Sequence, residues 1–97
     1  MSSESLELAF AAVETSVSSL LDGKSGGKDS ALKAIFLLNN EIGKLARVKP
    51  AKLGTLKVFQ AYVNAVTVAV KGGESRMISE SLGSARNYLV SASRELE

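Results

Sequence analysis

An all-α domain, an up-down-up-down four-helix bundle, is predicted by three observations. Apolar residues recur at helical spacing in four stretches of the 97-residue chain. Clusters rich in Gly, or holding the single Pro, separate those stretches. The connections left over are short, and short connections join antiparallel neighbours.

The first helix is expected over about Ser3 to Leu21. Leu6, Phe10, Val13, Val17 and Leu20 step by 4, 3, 4 and 3, which makes one stripe on a helix. Glu4 and Glu7 suit the positive end of its dipole. Gly23 and the Gly26-Gly27 pair stop it.

A second helix is expected over 29–48, with Asp29 or Ser30 accepting a hydrogen bond from a first-turn N–H. Ile35, Leu38, Ile42 and Leu45 form its buried stripe, flanked by Leu32 and Ala46. Asn39 sits at the stripe's edge, where a half-buried amide takes a neighbouring helix as partner. The opposite face gathers Lys33, Phe36, Leu37, Asn40, Lys44 and Arg47. Large apolar groups among basic ones read as a partner-binding surface. The plainer reading is a solvated basic face with Phe36 folded sideways onto a neighbouring helix.

Pro50 opens a third helix, 50–71, at a position where a missing N–H costs nothing. Leu56, Phe59, Val63, Val66 and Val70 are its core stripe, and Gly72-Gly73 end it. Its reverse side, Gly54, Val58, Ala61, Ala65 and Val68, is also apolar and mostly small. A helix apolar all round is normally covered on both sides. Val58, Ala61, Ala65 and Val68 are therefore expected to meet another chain, either a second copy in a homodimer or a larger protein.

The fourth helix is expected over 74–96. Ile78, Leu82, Ala85, Leu89, Ala92 and Leu96 keep a heptad spacing suited to shallow-angle packing, with Met77 and Tyr88 at the flanks. Its outer side is serine-rich and balanced in charge, and reads as solvated surface.

Composition narrows the function. The chain is 45% hydrophobic and 23% charged, as globular chains are, and its length is that of one domain. With no Cys there is no disulfide framework, and without His or Cys the usual metal sites and acid–base or nucleophilic constellations lack their commonest members, while Lys, Ser, Tyr and the carboxylates do not converge on a buried stripe. No enzyme, no metal and no cofactor is expected. MSSESLELAF lacks the basic region of a signal peptide. The longest apolar run, Ala65–Val70, contains Thr67 and falls far short of the ~20 residues of a membrane span. The expected location is the cytoplasm, with no membrane contact.

The formal charge of +2 is unevenly spread: residues 1–23 carry −4, residues 24–57 carry +6, and the remainder is neutral. An acidic partner is expected at the middle of the chain. Lys44, Arg47, Lys49, Lys52 and Lys57 surround the second turn and form a candidate nucleic-acid cluster. It shares its end of the bundle with Glu4, Glu7, Glu95 and Glu97, so weak, salt-sensitive contact is the expectation rather than sequence readout.

Residues 25–30, SGGKDS, followed by Ala31-Leu32-Lys33-Ala34, resemble the phosphate-binding signature of the PP-loop ATP pyrophosphatases. In that family the glycines and the following helix N-terminus cradle a pyrophosphate. The family sets this loop after a buried strand of a parallel sheet, and here it follows a helical segment. Nucleotide binding through this turn is thus the third functional option. Gly23-Lys24-Ser25 also approaches a Walker A ending, but Ser18 occupies the earlier Gly position.

In size, all-helical pattern and lack of His, Cys and Trp, the chain is similar to the small helical accessory subunits of archaeal B-family DNA polymerase complexes. The resemblance implies a polymerase-binding role in DNA replication, with basic residues near DNA, and carries no residue-level correspondence. The leading expectation is a non-catalytic accessory subunit that binds a larger protein. Direct nonspecific nucleic-acid binding through the Lys44–Lys57 cluster is the runner-up.

Overall fold

The computed structural model describes residues 4–96. These form α1 (Glu4–Leu21), α2 (Gly27–Val48), a 3-10 turn (Pro50–Lys52), α3 (Leu53–Gly72) and α4 (Ser75–Leu96). Ser3, expected to begin the first helix, lies outside the described residues. The periodic stripes are the core. Every stripe residue named above is buried, except Leu20 and Leu82, which are half-buried against the cluster. The Cα radius of gyration is 12.9 Å, close to the roughly 12.5 Å of a compact chain this long.

Three helix starts differ from expectation, each for a local reason. α2 begins at Gly27, ahead of Asp29 and Ser30, and no side chain caps it. Gly26 takes φ +74°, which reverses the chain without a Cβ clash, and its carbonyl accepts the Ser30 N–H at 3.0 Å. Helix geometry therefore starts before either capping residue is reached. Pro50 opens a 3-10 turn first, and the α-helix follows from Leu53. α4 starts one residue after Glu74, whose carbonyl accepts the Ile78 N–H at 3.0 Å.

α1 packs most extensively on α2 and α3 on α4; α2 and α3 join the two pairs, and α1 touches α4 more sparsely. At the first turn, the Gly27 backbone lies directly against that of Leu20. Lysines tie helix ends across the fold: Lys28 Nζ donates to the Lys71 carbonyl at 3.2 Å, and Lys49 Nζ to the Leu96 carbonyl at 3.1 Å. Cations suit helix C-termini, whose last carbonyls have no partner within the helix. Thr55 Oγ1 donates to Glu95 Oε1 at 3.0 Å, joining the start of α3 to the end of α4.

The segment Pro50–Gly72 is, by length and a mean hydropathy of 1.3, apolar enough to cross a membrane, and 33% of that window is buried. The longest uninterrupted run misses this because Thr55, Lys57, Gln60, Asn64 and Thr67 break the apolar stretch without pulling its average down.

Candidate protein-binding surfaces

α2 turns Ile35, Leu38, Ile42 and Leu45 inward, so helical phase leaves Phe36 and Leu37 outside. Phe36 is 63% exposed and Leu37 51%. Phe36 does not fold onto a neighbouring helix. Lys33, Asn40, Lys44 and Arg47 are exposed beside them. Lys44 pairs with Glu41 at 3.3 Å, whereas Lys33 and Arg47 have no ion-pair partner among the described residues. The expected α2 face is therefore assembled and open. Asn39 is half-buried, and its Oδ1 meets no hydrogen-bond partner among the described residues, contrary to the expected interhelical pairing.

Leu37 also faces α1. With Ser5, Leu8, Ala9, Ala12, Ala34 and Glu41 it lines a cleft of about 370 Å³. Leu8, 69% exposed, is the residue the sequence reading missed. Its signal was present, since Leu8 is a large apolar residue of helix 1, like Leu21, lying off the Leu6–Leu20 stripe.

The reverse side of α3 is a separate surface. Val58 and Val68 are 46% and 66% exposed, with Ala61 and Ala65 exposed between them and Gly54 exposed one turn before Val58. No described residue of the same chain covers it.

The basic cluster is less uniform than its sequence. Lys44, Arg47 and Lys57 are exposed, but Lys49 and Lys52 are half-buried, and Lys49 is engaged at the end of α4. The SGGKDS turn joins α1 to α2, and there is no strand among the described residues.

The outer side of α4 is exposed as expected at Ser79, Ser84, Asn87 and Ser91, but its flank toward α1 is not plain solvated surface. Arg86 reaches α1 and donates through Nε and Nη2 to Glu14 at 3.0 and 2.6 Å, and through Nη1 to both Glu7 oxygens at 2.8 Å. Its guanidinium carbon stands 4.7 Å from the Phe10 ring centroid. Hydrogen bonding to Glu14 is the main reason the guanidinium pKa is pushed further above its ordinary value, with Glu7 adding to it against the opposing cost of burial. Charge balance of α4, read from sequence, gave no sign that one arginine serves two carboxylates of another helix. Nor does periodicity encode such a pair.

This clamp holds α1 to α4, where contact is otherwise sparse. The Arg86 and Glu7 side chains are 28% and 43% exposed, so the bonds are partly screened. Arg86→Met keeps most of the aliphatic stem and should destabilise the fold by about 1–2 kcal/mol. Urea unfolding measures this, and a change within about 0.5 kcal/mol would show that the clamp contributes nothing net.

Tyr88 packs between Phe59 and Tyr62, with ring centroids at 6.4 and 5.2 Å. Burial, then the charge of Glu95 and the neighbouring Tyr62, raises its phenol above the ordinary value. Among the described residues no group of three or more His, Cys, Asp or Glu is placed to hold a metal ion.

No family model, curated protein or solved structure matches this chain.

Proposed function

We propose that this chain is a non-catalytic helical accessory subunit that binds a larger protein through the outward face of α2. The observation that carries the reading is the exposure of Phe36 and Leu37 among Lys33, Lys44 and Arg47. Exposed aromatic and aliphatic anchors with a basic rim are the composition of an interface centre and its edge. The uncovered Val58–Val68 side of α3 is a second contact, for the same partner or for another copy of the chain. The resemblance to the small helical accessory subunits of archaeal B-family DNA polymerase complexes implies a polymerase complex as the context, and a cytoplasmic setting goes with that reading.

The arrangement we propose for presenting these faces is an up-down-up-down bundle. Contacts between Leu20 and Gly27, Lys28 and Lys71, Thr55 and Glu95, and Lys49 and Leu96 support it.

The test is capture of partners from native lysate on the tagged chain, with a nuclease-treated sample in parallel. A stoichiometric, nuclease-resistant protein is expected, and Leu37→Glu should reduce its recovery at least about tenfold. Because Leu37 is half-exposed, the variant should keep its helicity and its stability to within about 1 kcal/mol. Unfolding of Leu37→Glu would place that face in the core and end the proposal. Recovery of nucleic-acid-dependent material alone would move the function to Arg47, Lys57 and their neighbours, with steep salt dependence.

A further inference from the structure

A hollow of about 350 Å³ lies between α3 and α4, lined by Tyr62, Ser84, Asn87, Tyr88 and Ser91. Sites for small ligands begin at about this size. One wall is the end of an aromatic row. Tyr88 stacks on both Phe59 and Tyr62, with ring planes 15° and 24° from parallel. Tyr62 ends the row: it is 37% exposed, and among the described residues no further ring stacks on it.

The polar groups beside that ring are unengaged. Tyr62, Ser84, Asn87 and Ser91 make no side-chain hydrogen bond among the described residues. Ser81 and Ser93 of the same helix, by contrast, return their hydroxyls to the Ile78 and Val90 carbonyls at 3.1 and 3.0 Å. Each of the four free groups can both donate and accept. Ser84, Asn87 and Ser91 follow at i, i+3 and i+7, so they share one side of α4 over about 10 Å.

Charge narrows the ligand class. No Asp, Glu, Lys or Arg lines the hollow. At its ends, Glu80 is paired with Arg76, Glu95 accepts the Thr55 hydroxyl, and Arg94 and Glu95 offset each other in charge. A phosphate or carboxylate therefore finds no cation in the hollow. A lining that both donates and accepts is matched by hydroxyls, and the negative face of an aromatic ring is matched by C–H bonds. A pyranose carries both, with hydroxyls at its rim and C–H bonds on its face.

We propose that this hollow binds a neutral saccharide, with one pyranose ring lying on Tyr62 and its hydroxyls bonded to Asn87 and the flanking serines. The site is separate from the α2 face and does not depend on the accessory-subunit reading.

The chain has no Trp and only two tyrosines, both in this site, so tyrosine fluorescence reads it directly. The isotope-labelled full chain is titrated with cellobiose, whose equatorial hydroxyls leave flat C–H faces, and with adenosine monophosphate, whose ring stacks but carries a phosphate. Cellobiose is expected to change the tyrosine emission and to shift the amides of Tyr62, Ser84, Asn87 and Ser91. Its dissociation constant should be about 1–10 mM, as an open site for one or two rings supports. Adenosine monophosphate should bind at least about tenfold more weakly, because its charge loses water without gaining a cation. Asn87→Ala, at an exposed position, should cut cellobiose affinity about fivefold and leave the melting temperature unchanged. Tyr62→Ala should abolish binding, while Tyr62→Phe keeps the stacking face and most of the affinity. Asn40→Ala on α2 should change nothing.

No response to about 50 mM cellobiose overturns the proposal. So does adenosine monophosphate binding as tightly as cellobiose, or cellobiose shifts confined to other faces. Affinity that survives Asn87→Ala also overturns it, and that variant decides alone if Tyr62→Ala unfolds. A proline-rich peptide that shifts these amides where cellobiose does not would assign the hollow to a protein partner instead.

Discussion

Phe59→Ala is expected to remove about 3–5 kcal/mol of stability, from a total of roughly 5–10 kcal/mol for a domain of this size. Phe59 is fully buried, with its ring centroid 5.9 Å from Phe10 of α1 and 6.4 Å from Tyr88 of α4. Truncation removes a whole ring from the place where three helices meet. The cavity cannot close unless those helices shift together, so packing loss adds to the transfer term. The melting temperature should fall by roughly 15–30 °C. Phe59→Leu, which keeps much of the volume, should cost less than half as much.

A second readout follows from the same packing. Burial is the chief reason the Tyr88 phenol is raised. Opening the space beside it should bring its titration back toward the ordinary value, seen in tyrosinate absorbance. Tyr62→Phe is the background for that measurement, because the chain has only two tyrosines. A loss below about 1 kcal/mol would show that the aromatic row is peripheral and that the aliphatic stripes carry the core.

The core was legible because burial in an amphipathic helix follows the 3.6-residue period, and four such stripes leave few other ways to be buried. Leu6, Leu38, Val63 and Leu89 are each 0–1% exposed, as their spacing requires. The outward placement of Phe36 and Leu37 follows from the same phase. What one helix's period cannot encode is its relation to the next. Leu8 becomes part of a surface only because α2 brings Leu37 beside it. Arg86 lies on a face that looks solvated until α1 brings Glu7 and Glu14 to it. Lys49 and Lys57 have equal weight as charges in the sequence, yet Lys49 is held at the end of α4 and Lys57 faces solvent. Candidate residues counted by charge alone therefore overstate the basic cluster.

Gly27→Ala should destabilise the fold by about 1–3 kcal/mol, and the sign is the informative part. Helix propensity predicts the opposite, since Ala is favoured over Gly by up to about 1 kcal/mol within a helix. Gly27 is the first residue of α2, is buried, and is not one of the glycines with positive φ, so Ala meets no backbone strain there. The obstacle is contact. A Cβ at this position would stand 2.7 Å from the Leu20 Cα and 3.1 Å from the Leu20 nitrogen. Both are backbone atoms in α1, so relief requires the two helices to separate and disturbs the stripe from Val17 to Ala31. Gly83→Ala is the control. Gly83 lies within α4 with nothing inside 4 Å of an added Cβ, and its replacement should stabilise by about 0.5–1 kcal/mol. Paired denaturation curves should thus move in opposite directions. If both variants are stabilised, the close approach of α1 and α2 is not a constraint, and the glycines of SGGKDS need some other explanation. If Gly27→Ala alone is destabilised, close packing on Leu20 is reason enough for Gly27, with no phosphate needed to account for it.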